Sequence, residues 1–265
     1  MQSLKDSMKE FMDSKEAGEE ECEDCGNVYK LFTTPHGDMG ACKPCEDKKF
    51  HDSLNLPTAE EYRNQKELGF ILKFERITND LSTATVNNYK PDPKFGSQEK
   101  ARKAAIEFIT EYTGSESLVY SGVPGIGKSH LSYAINKAIR NKGYKTLFIK
   151  STDLLDAIKQ TYNYQSDVSD EMIYKMIDGL DLLVLDDIGG EYVKGSDSGH
   201  ETWASDVLYK VIDMRLGKPL ICTTNYAESE LIEKYGNNGP RIISRMMENA
   251  KGIRVEGEDQ RRERF

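Results

Sequence analysis

One octapeptide constrains this chain more strongly than any other feature of its sequence. Residues 122–129 read GVPGIGKS, which fills every fixed position of the pattern G-x-x-x-x-G-K-[ST]. A short apolar run of strand type, Ser117–Ser121, precedes the octapeptide, and apolar residues at helical spacing follow it. A strand, a glycine-rich loop and a helix in this order form a P-loop. The sequence therefore predicts an α/β fold that binds a phosphate group.

Each residue type in this loop has a physical role. Glycines let the backbone curl around an anion, while successive N–H groups and the N-terminus of the helix supply positive potential. Lys128 is expected to reach the β- and γ-phosphates of ATP, and the Ser129 hydroxyl is expected to bind Mg²⁺. The residues predicted to contact ATP or ADP are Gly122, Pro124, Gly125, Ile126, Gly127, Lys128, Ser129 and His130.

A pair of acidic residues follows a second apolar run. Residues 182–185 read LLVL and are followed by Asp186 and Asp187. A continuous apolar run is typical of a central parallel strand that is covered on both faces. Because a nucleotide site needs a metal-binding acid at the end of a neighbouring strand, we interpret this segment as a Walker B motif. Asp186 is expected to hold Mg²⁺, and Asp187 is expected to orient the attacking water.

A third apolar run, residues 219–225, reads PLICTTN and ends in polar side chains. A polar side chain at the carboxyl end of a parallel strand lies beside the bound ligand. Asn225 is therefore the predicted contact to the γ-phosphate, with Thr224 behind it. The alternative is that Asn225 only forms a turn before Tyr226. Cys222, inside the run, is expected to be a small buried apolar residue.

Two arginines follow in the segment GPRIISRMM. Arg241 and Arg245 are four residues apart and share one face of the predicted helix. An exposed, solvated pair is the ordinary explanation of such a spacing. The order of the motifs favours an arginine finger instead, a cation that neutralises transition-state charge on the nucleotide of a neighbouring subunit.

These segments resemble the AAA+ replicative-helicase loaders of bacteria and their phages, the DnaC/DnaI type. The resemblance covers roughly residues 80–265 and rests on GVPGIGKSHLSYAI, LLVLDDIG, ICTTNY and PRIISRM. It implies an AAA+ core with a parallel sheet and a truncated helical lid, with Arg245 as the finger and Arg241 as a supporting contact. The chain departs from the commonest AAA+ pattern at Asp187, where glutamate is more usual. The shorter side chain sets the carboxylate back by about 1.5 Å, so efficient water activation is less certain.

The resemblance also implies partners. They are a hexameric replicative DNA helicase, single-stranded DNA bound weakly, and further copies of the chain that associate through the ATP sites. ATP binding would then serve assembly and switching, with slow hydrolysis that a partner stimulates. Lys159, Tyr162 and Tyr164 lie where loaders carry an extra helical element that touches DNA. An ordinary helix end with half-buried tyrosines explains these three residues at least as well.

Four cysteines form a second constellation near the start of the chain. Cys22 and Cys25 make one Cys-x-x-Cys pair, and Cys42 and Cys45 make another. Two such pairs can place four sulfurs tetrahedrally around Zn²⁺. His36 in the intervening loop is the alternative to one of the thiols. Disulfides are the competing account of the four thiols, but the sequence shows no secretory signal and a cytosolic nucleotide enzyme keeps its thiols reduced.

Composition sets the domain organisation and excludes some classes. At 265 residues the chain is long enough for about two domains. We expect a zinc-binding, helicase-docking domain at 1–50, a helical connector at 51–80 and an AAA+ ATPase domain at 81–265. A net charge of -9 argues against nonspecific coating of DNA, which needs clustered cations. No apolar run approaches the length of a membrane span, so the chain is expected to be cytoplasmic.

The first residues carry an apolar stripe at helical spacing, formed by Leu4, Met8, Phe11 and Met12. The stripe is expected either to pack on the zinc module or to dock against a helicase. Two alternatives to a loader remain open. A transposase-helper ATPase shares the core motifs, although the cysteine module disfavours it. A phage adaptor would capture the host helicase or loader without ATP turnover.

Overall fold

The computed structural model of the protein describes residues 15–34, 37–54, 59–163, 165–191 and 202–260, and it leaves the side chains of residue 51 and residues 59–63 undescribed. The chain divides into two compact units between residues 65 and 66. The predicted division at residues 50 and 80 stays a prediction. The N-terminal apolar stripe and His36 lie outside the described residues.

The first unit is built around a small antiparallel sheet. The sheet has three strands in the order β1-β2-β3. A helix follows these strands, and a second helix runs through the division between the units. These elements are β1 (Glu16–Glu21), β2 (Val28–Thr34), β3 (Gly37–Met39), α1 (Lys43–Ser53) and α2 (Ala59–Leu72).

The second unit contains a parallel sheet of five strands in the order β5-β6-β7-β4-β8. All five strands point the same way, so their carboxyl ends meet at one edge. The strands are β4 (Ser117–Ser121), β5 (Thr146–Lys150), β6 (Leu182–Ile188), β7 (Leu220–Thr224) and β8 (Ala250–Arg254).

Helices connect these strands. In chain order they are α3 (Asn79–Ser82), α4 (Gly96–Thr110), α5 (Lys128–Asn141), α6 (Ser151–Gln160), α7 (Asp170–Asp178), α8 (Trp203–Met214), α9 (Glu228–Tyr235) and α10 (Gly239–Met247), with a 3₁₀ turn at Gly236–Asn238 before the last.

The sheet is buried on both faces. Along β6, Leu183 and Leu185 belong to one apolar cluster, while Leu182 and Val184 belong to another. The first cluster packs against α6 to α10, and the second packs against α4 and α5. Alternating side chains point to opposite faces of a strand, so the continuous apolar run of β6 is covered on both sides as predicted. Cys222 on β7 is fully buried, and its burial raises the pKa of its thiol.

A buried arginine links the helices to the sheet near the start of β7. The side chain of Arg215, which is 2% exposed, follows α8. Its guanidinium donates hydrogen bonds to the carbonyl oxygens of Ile177 (3.1 Å), Leu180 (2.7 Å) and Pro219 (2.9 Å). Burial lowers the pKa of Arg215 to about 10. The side chain thus ties the end of α7 to the segment that leads into β7.

After β8 the described chain continues without a helix to residue 260. It runs beside the P-loop, where the backbone N–H of Gln260 donates a hydrogen bond to the Gly125 carbonyl at 3.1 Å. Gln98 on α4 holds the same segment by donating to the Glu256 carbonyl at 3.1 Å. Among the described residues, no helix has the length and apolar character needed to cross a membrane.

Candidate functional site

The P-loop lies at the carboxyl edge of the parallel sheet, between β4 and α5. Gly122 and Gly127 have φ angles of +140° and +86°, in the region that favours glycine. Space is also short at both positions. A Cβ on Gly122 would lie 2.0 Å from the Val255 carbonyl oxygen, and one on Gly127 would lie 2.5 Å from the Tyr89 ring. These two glycines are therefore required by backbone conformation and by close packing.

Lys128 is the buried cation of this edge, with 6% of its surface exposed. Its ammonium donates to the carbonyl oxygens of Gly122 (2.7 Å) and Val123 (2.8 Å) and to Oδ1 of Asn225 (2.8 Å). These acceptors are oxygen atoms of the kind that a phosphate presents. The ammonium is thus held inside the loop, at the place where the sequence predicts the β- and γ-phosphates.

Asp186 lies at the end of β6 and is 2% exposed. The hydroxyl of Thr223 donates to its Oδ1 at 2.7 Å. Burial raises the pKa of the Asp186 carboxyl, while hydrogen bonds from Thr223 and Ser129 lower it. A cation beside this carboxylate would favour its charged form. Asp186 and Ser129 are therefore oxygen ligands of suitable chemistry and position for Mg²⁺.

Asp187 has an unusual backbone conformation, with φ at +58°. Non-glycine residues rarely adopt this region and need neighbours that hold them there. The Asp187 N–H donates to Oγ1 of Thr223 at 2.8 Å, and its carbonyl accepts from the Gly190 N–H at 2.9 Å. Its carboxylate accepts from Nδ2 of Asn225 at 2.7 Å. Backbone and side chain of the predicted water-orienting acid are thus both fixed.

Asn225 joins the two halves of the site. Its amide oxygen accepts from Lys128, and its amide nitrogen donates to Asp187. Thr224 lies behind it, as expected, and donates to the Ile188 carbonyl at 2.7 Å. Sequence reasoning missed Thr223, whose hydroxyl touches both acids. The signal was present, because alternate residues share a face of a strand, so Thr223 and Asn225 point the same way.

The remaining loop residues are placed differently. Nε2 of His130 lies 2.9 Å from the Thr85 carbonyl and 2.9 Å from Oδ1 of Asn88. The Ile126 side chain is fully buried, and its carbonyl accepts from the Tyr89 hydroxyl at 3.0 Å. Pro124 lies within the loop. The predicted nucleotide contacts of all three residues stay predictions.

The two arginines lie away from this edge. Arg245 donates to Oδ1 of Asp213 at 2.9 Å, and Arg241 lies 5.9 Å from the ring centre of Tyr209. Arg245 lines a small cleft with Ser117 and Leu220, the first residues of β4 and β7. Strands of this length span about 15 Å. Arg245 therefore lies at the amino ends of the strands, whereas its own P-loop lies at their carboxyl ends.

The four cysteines of the first unit form one cluster. Their sulfur atoms all lie within 4.8 Å of one another, and all four cysteines are free thiols. The Cys22 and Cys45 sulfurs are 3.7 Å apart, and those of Cys25 and Cys42 are 3.4 Å apart. A disulfide bond would bring two sulfurs to about 2.05 Å. The arrangement is therefore one that could hold a metal ion, and none of the four thiols forms a disulfide here.

The thiols of the cluster shift one another's pKa in opposite directions. A hydrogen bond from the Asn27 backbone and bonds from the neighbouring thiols lower the pKa of Cys25 to about 7. Hydrogen bonds with Cys25 and Cys22 raise the pKa of Cys45 to about 12. Four thiolates this close together need a compensating charge, which a bound Zn²⁺ would supply.

Tyr162, in the segment that was predicted to touch DNA, packs against a second aromatic residue, Trp203. Tyr162 is 59% exposed, and its ring packs edge-to-face on Trp203 with centres 6.3 Å apart. Trp203 also donates to the Tyr162 hydroxyl at 3.3 Å. Lys159 lies in the last turn of α6, and Tyr164 lies outside the described residues. Trp203 was not foreseen, because it is distant in sequence from Tyr162.

A P-loop, an acidic pair and a polar strand end at one edge of a parallel sheet define an ATPase of the P-loop α/β class. Residues 50–264 match the family of IstB-like ATP binding proteins. The chain belongs to this family. The α/β AAA+ fold and the relationship to helicase loaders that the sequence predicted are thus confirmed.

Similar curated proteins include a replicative helicase loader and a protein of unassigned function. The chain is 30% identical over 152 residues to the replicative helicase loader DnaC of Escherichia coli K12, which is 56% of this chain and 58% of the relative. It is 27% identical over 154 residues to the uncharacterized protein YdaV of the same strain, which is 57% of this chain and 55% of the relative. The chain thus spans little more than half the length of these curated relatives.

Solved structures show the same fold. The crystal structure of the DnaC helicase loader superposes with a TM-score of 0.57 at 26% identity, covering 68% of this chain and 100% of that chain. The crystal structure of DnaI superposes with a TM-score of 0.55 at 21% identity, covering 70% of this chain and 94% of the other. The second comparison shows the fold alone.

We predict one tightly bound zinc per chain. Cys45→Ser removes a thiolate ligand, so the first unit should lose its metal and its fold, because a module this small has too little core to fold without a metal. Nucleotide binding by the second unit should be unchanged. Metal analysis and circular dichroism measure the two effects, and Cys222→Ser serves as the control that retains zinc. Well under one zinc per chain, in protein never exposed to chelator, would contradict the prediction.

Proposed function

We propose that the chain is an ATP-dependent loader that binds a hexameric replicative DNA helicase and delivers it to single-stranded DNA during replication initiation. The observation that carries the proposal is the similarity to DnaC, described as a replicative helicase loader, because this chain covers the whole of the solved DnaC chain. The second unit supplies the ATPase. The first unit supplies the surface for the helicase.

The proposed chemistry uses the residues at the carboxyl edge. When ATP binds, the Lys128 ammonium exchanges its carbonyl acceptors for phosphate oxygens. Ser129 and Asp186 would hold Mg²⁺, which would supply positive charge beside the phosphates. Asp187 accepts a hydrogen bond from the attacking water and orients it, while Asn225 donates to the γ-phosphate.

Slow turnover follows from the state of Asp187. Its carboxylate is engaged by Asn225 at 2.7 Å and is one methylene shorter than glutamate. Water activation therefore requires that Asn225 turn toward the γ-phosphate and release the carboxylate. A partner that favours this rearrangement would stimulate hydrolysis.

The position of Arg245 supports self-association. An arginine at the opposite edge of the sheet cannot reach the phosphate in its own P-loop. It can reach the P-loop of a second copy if the carboxyl ends of that copy's strands face the amino ends of these strands, as an arginine finger does. Asp213 holds the guanidinium in place through the 2.9 Å hydrogen bond, and Arg241 is the proposed supporting contact.

The first unit has the surface of a docking module. Four large apolar side chains in its described part are well exposed, at 47% or more of their surface, although the unit is small. Exposed apolar patches on small domains mark protein interaction sites. These residues are Val28, Met39, Phe50 and Leu54.

Single-stranded DNA would contact the Tyr162 and Trp203 rings, with Lys159 nearby. Base stacking on an aromatic ring contributes about 1–3 kcal/mol. The acidic residues that follow, from Asp167 to Glu171, keep this contact weak. Weak binding suits a protein that releases the DNA after delivery.

Two other functions are compatible with the core. The family description names IstB-like proteins, so a transposase-helper ATPase shares the fold. The four-cysteine module favours the loader over the helper. An adaptor that holds the helicase without turnover would use the same docking surface, and ATP dependence separates it from a loader.

We predict ATP-dependent transfer of helicase. A replicative helicase incubated with the chain and ATP should be recovered on circular single-stranded DNA, where no free end allows threading. Lys128→Ala is the matched control. It should bind the helicase through the first unit but should load none, because the cation that reaches the phosphates is missing. Gel filtration of the DNA-bound fraction measures the transfer.

Three other outcomes would contradict the loader. Equal transfer by the Lys128→Ala variant and wild type favours the adaptor. Binding of a transposase but of no helicase favours the helper. Binding of neither a helicase nor a transposase would contradict the docking role of the first unit.

We further predict complementation between two inactive variants. Arg245→Ala should bind ATP normally but lose stimulated hydrolysis and ATP-dependent assembly, because its own pocket is intact and only its neighbour's site lacks the cation. Mixing Arg245→Ala with Lys128→Ala should restore part of the activity, since one intact pocket then faces one intact arginine. Lys251→Ala, which removes another exposed, ion-paired cation, is the control and should remain active. Full activity of Arg245→Ala alone would show that the arginine is only a surface charge.

A further inference from the structure

A buried carboxylate lies directly behind the acidic pair. Glu191 follows the turn after β6, belongs to none of the motifs and is 3% exposed. Glutamate is almost never this deeply buried unless its oxygens are paired. The position therefore calls for an explanation in terms of the groups that the carboxylate contacts.

Three donors satisfy this carboxylate. The Ser151 hydroxyl donates to Oε2 at 2.7 Å, and the backbone N–H of Gly189 donates to the same oxygen at 3.2 Å. The Tyr235 hydroxyl donates to Oε1. Contact with Glu191 and burial together raise the pKa of Tyr235, so this hydroxyl keeps its proton. All three groups come from elements that surround the end of β6.

These donors also lie around the Asp187 backbone. The Ser151 hydroxyl lies 3.0 Å from the Asp187 carbonyl oxygen as well as 2.7 Å from Glu191. Gly189 also has a positive φ, at +94°, two residues after Asp187 at +58° near the end of β6. A glycine adopts this region without strain, but a Cβ on Gly189 would lie 2.5 Å from the Tyr226 ring, so the segment before α9 packs closely on Gly189. The strain lies at Asp187, because a non-glycine residue persists at positive φ only when surrounding contacts fix it.

We propose that Glu191 is a positioning residue for hydrolysis. Its carboxylate gathers Ser151 at the start of α6, Gly189 in the turn and Tyr235 at the end of α9 onto one anchor. That anchor holds Asp187 in its left-handed conformation, with the side chain directed at the catalytic edge. The inference rests on the proposed role of Asp187 in orienting water.

The anchor affects turnover more than binding. Lys128, Ser129 and the loop amides bind the phosphates, and none of them contacts Glu191. A small displacement of a reacting group lowers a rate by up to about 100-fold without a matching loss of affinity. Removal of Glu191 should therefore lower the rate of hydrolysis while the affinity for ATP is retained.

The test measures single-turnover hydrolysis of bound ATP, the dissociation constant for a non-hydrolysable ATP analogue, and the melting temperature. Tyr235→Phe removes one donor and keeps the ring, and should slow hydrolysis by about 10-fold. Glu191→Ala should slow it by up to about 100-fold. Glu191→Gln should retain more activity than Glu191→Ala, because the amide oxygen can still accept from Ser151 and Gly189 while its nitrogen donates to Tyr235. The dissociation constant should stay within about 2-fold of wild type, a change worth well under 1 kcal/mol.

Tyr112→Phe is the matched control. It also removes a tyrosine hydroxyl, but this hydroxyl donates to the Asp181 backbone carbonyl at 2.7 Å, near the start of β6 rather than its end. A purely structural role for Tyr235 would lower the melting temperature in both variants and leave hydrolysis by the folded protein unchanged in both. That result, with normal hydrolysis in Tyr235→Phe and in Glu191→Ala, overturns the inference.

Asp187→Asn separates this inference from the proposed function. If it stops hydrolysis while Tyr235→Phe and Glu191→Ala hydrolyse normally, Asp187 keeps its role and only the anchor is wrong. If it hydrolyses ATP at the wild-type rate, the role of Asp187 fails and the anchor fails with it.

Discussion

The Asn225 amide bridges the Lys128 ammonium and the Asp187 carboxylate, and the arrangement of the whole site depends on this bridge. Strand order makes it possible. Because β7 lies between β6 and β4, the residue that follows β7 can reach both the acid near the carboxyl end of β6 and the loop after β4. The cation, the amide and the acid come from three distant parts of the sequence. They meet because parallel strands end at one edge.

The same edge concentrates features that cost free energy. Lys128 and Asp186 are buried charges, and Asp187 is held in a left-handed conformation. Each is compensated by hydrogen bonds rather than by apolar packing. A phosphate with its metal ion would satisfy these groups further. The proposed arginine finger lies at the amino ends of the strands, so under that proposal a complete site would include a second copy of the chain.

Much of the fold and of the candidate site could be predicted from the sequence, because each motif is a short continuous segment. The P-loop, the apolar run of β6 and the acids that follow it are local patterns, and each fixes its own element. The four cysteines were found in the same way, from their spacing. The structure adds that their sulfurs converge. The parallel sheet followed from the motifs and from the resemblance to helicase loaders.

Other parts depend on contacts that local patterns do not encode. Ser151 and Glu191 matter through their neighbours in space, and nothing in their own segments distinguishes them. The buried Arg215 looks like a surface residue at a helix end until the three carbonyl oxygens around it are known. The approach of residues 255–260 to the P-loop likewise depends on β8 joining the sheet beside β4. The sequence indicates this approach only through Gly122 and Gly125, because any side chain at these two positions would collide with residues 255–259.

The bridge through Asn225 is tested most directly by the ratio of the affinities for Mg²⁺–ATP and Mg²⁺–ADP. Calorimetry on the wild type and on Asn225→Ala measures this ratio. If Asn225 contacts the γ-phosphate, the variant should bind ADP as the wild type does and should lose affinity for ATP alone, by about 10-fold for one hydrogen bond to a charged group. An unchanged ratio in the variant would contradict the account, because Asn225 would then take no part in recognising the γ-phosphate.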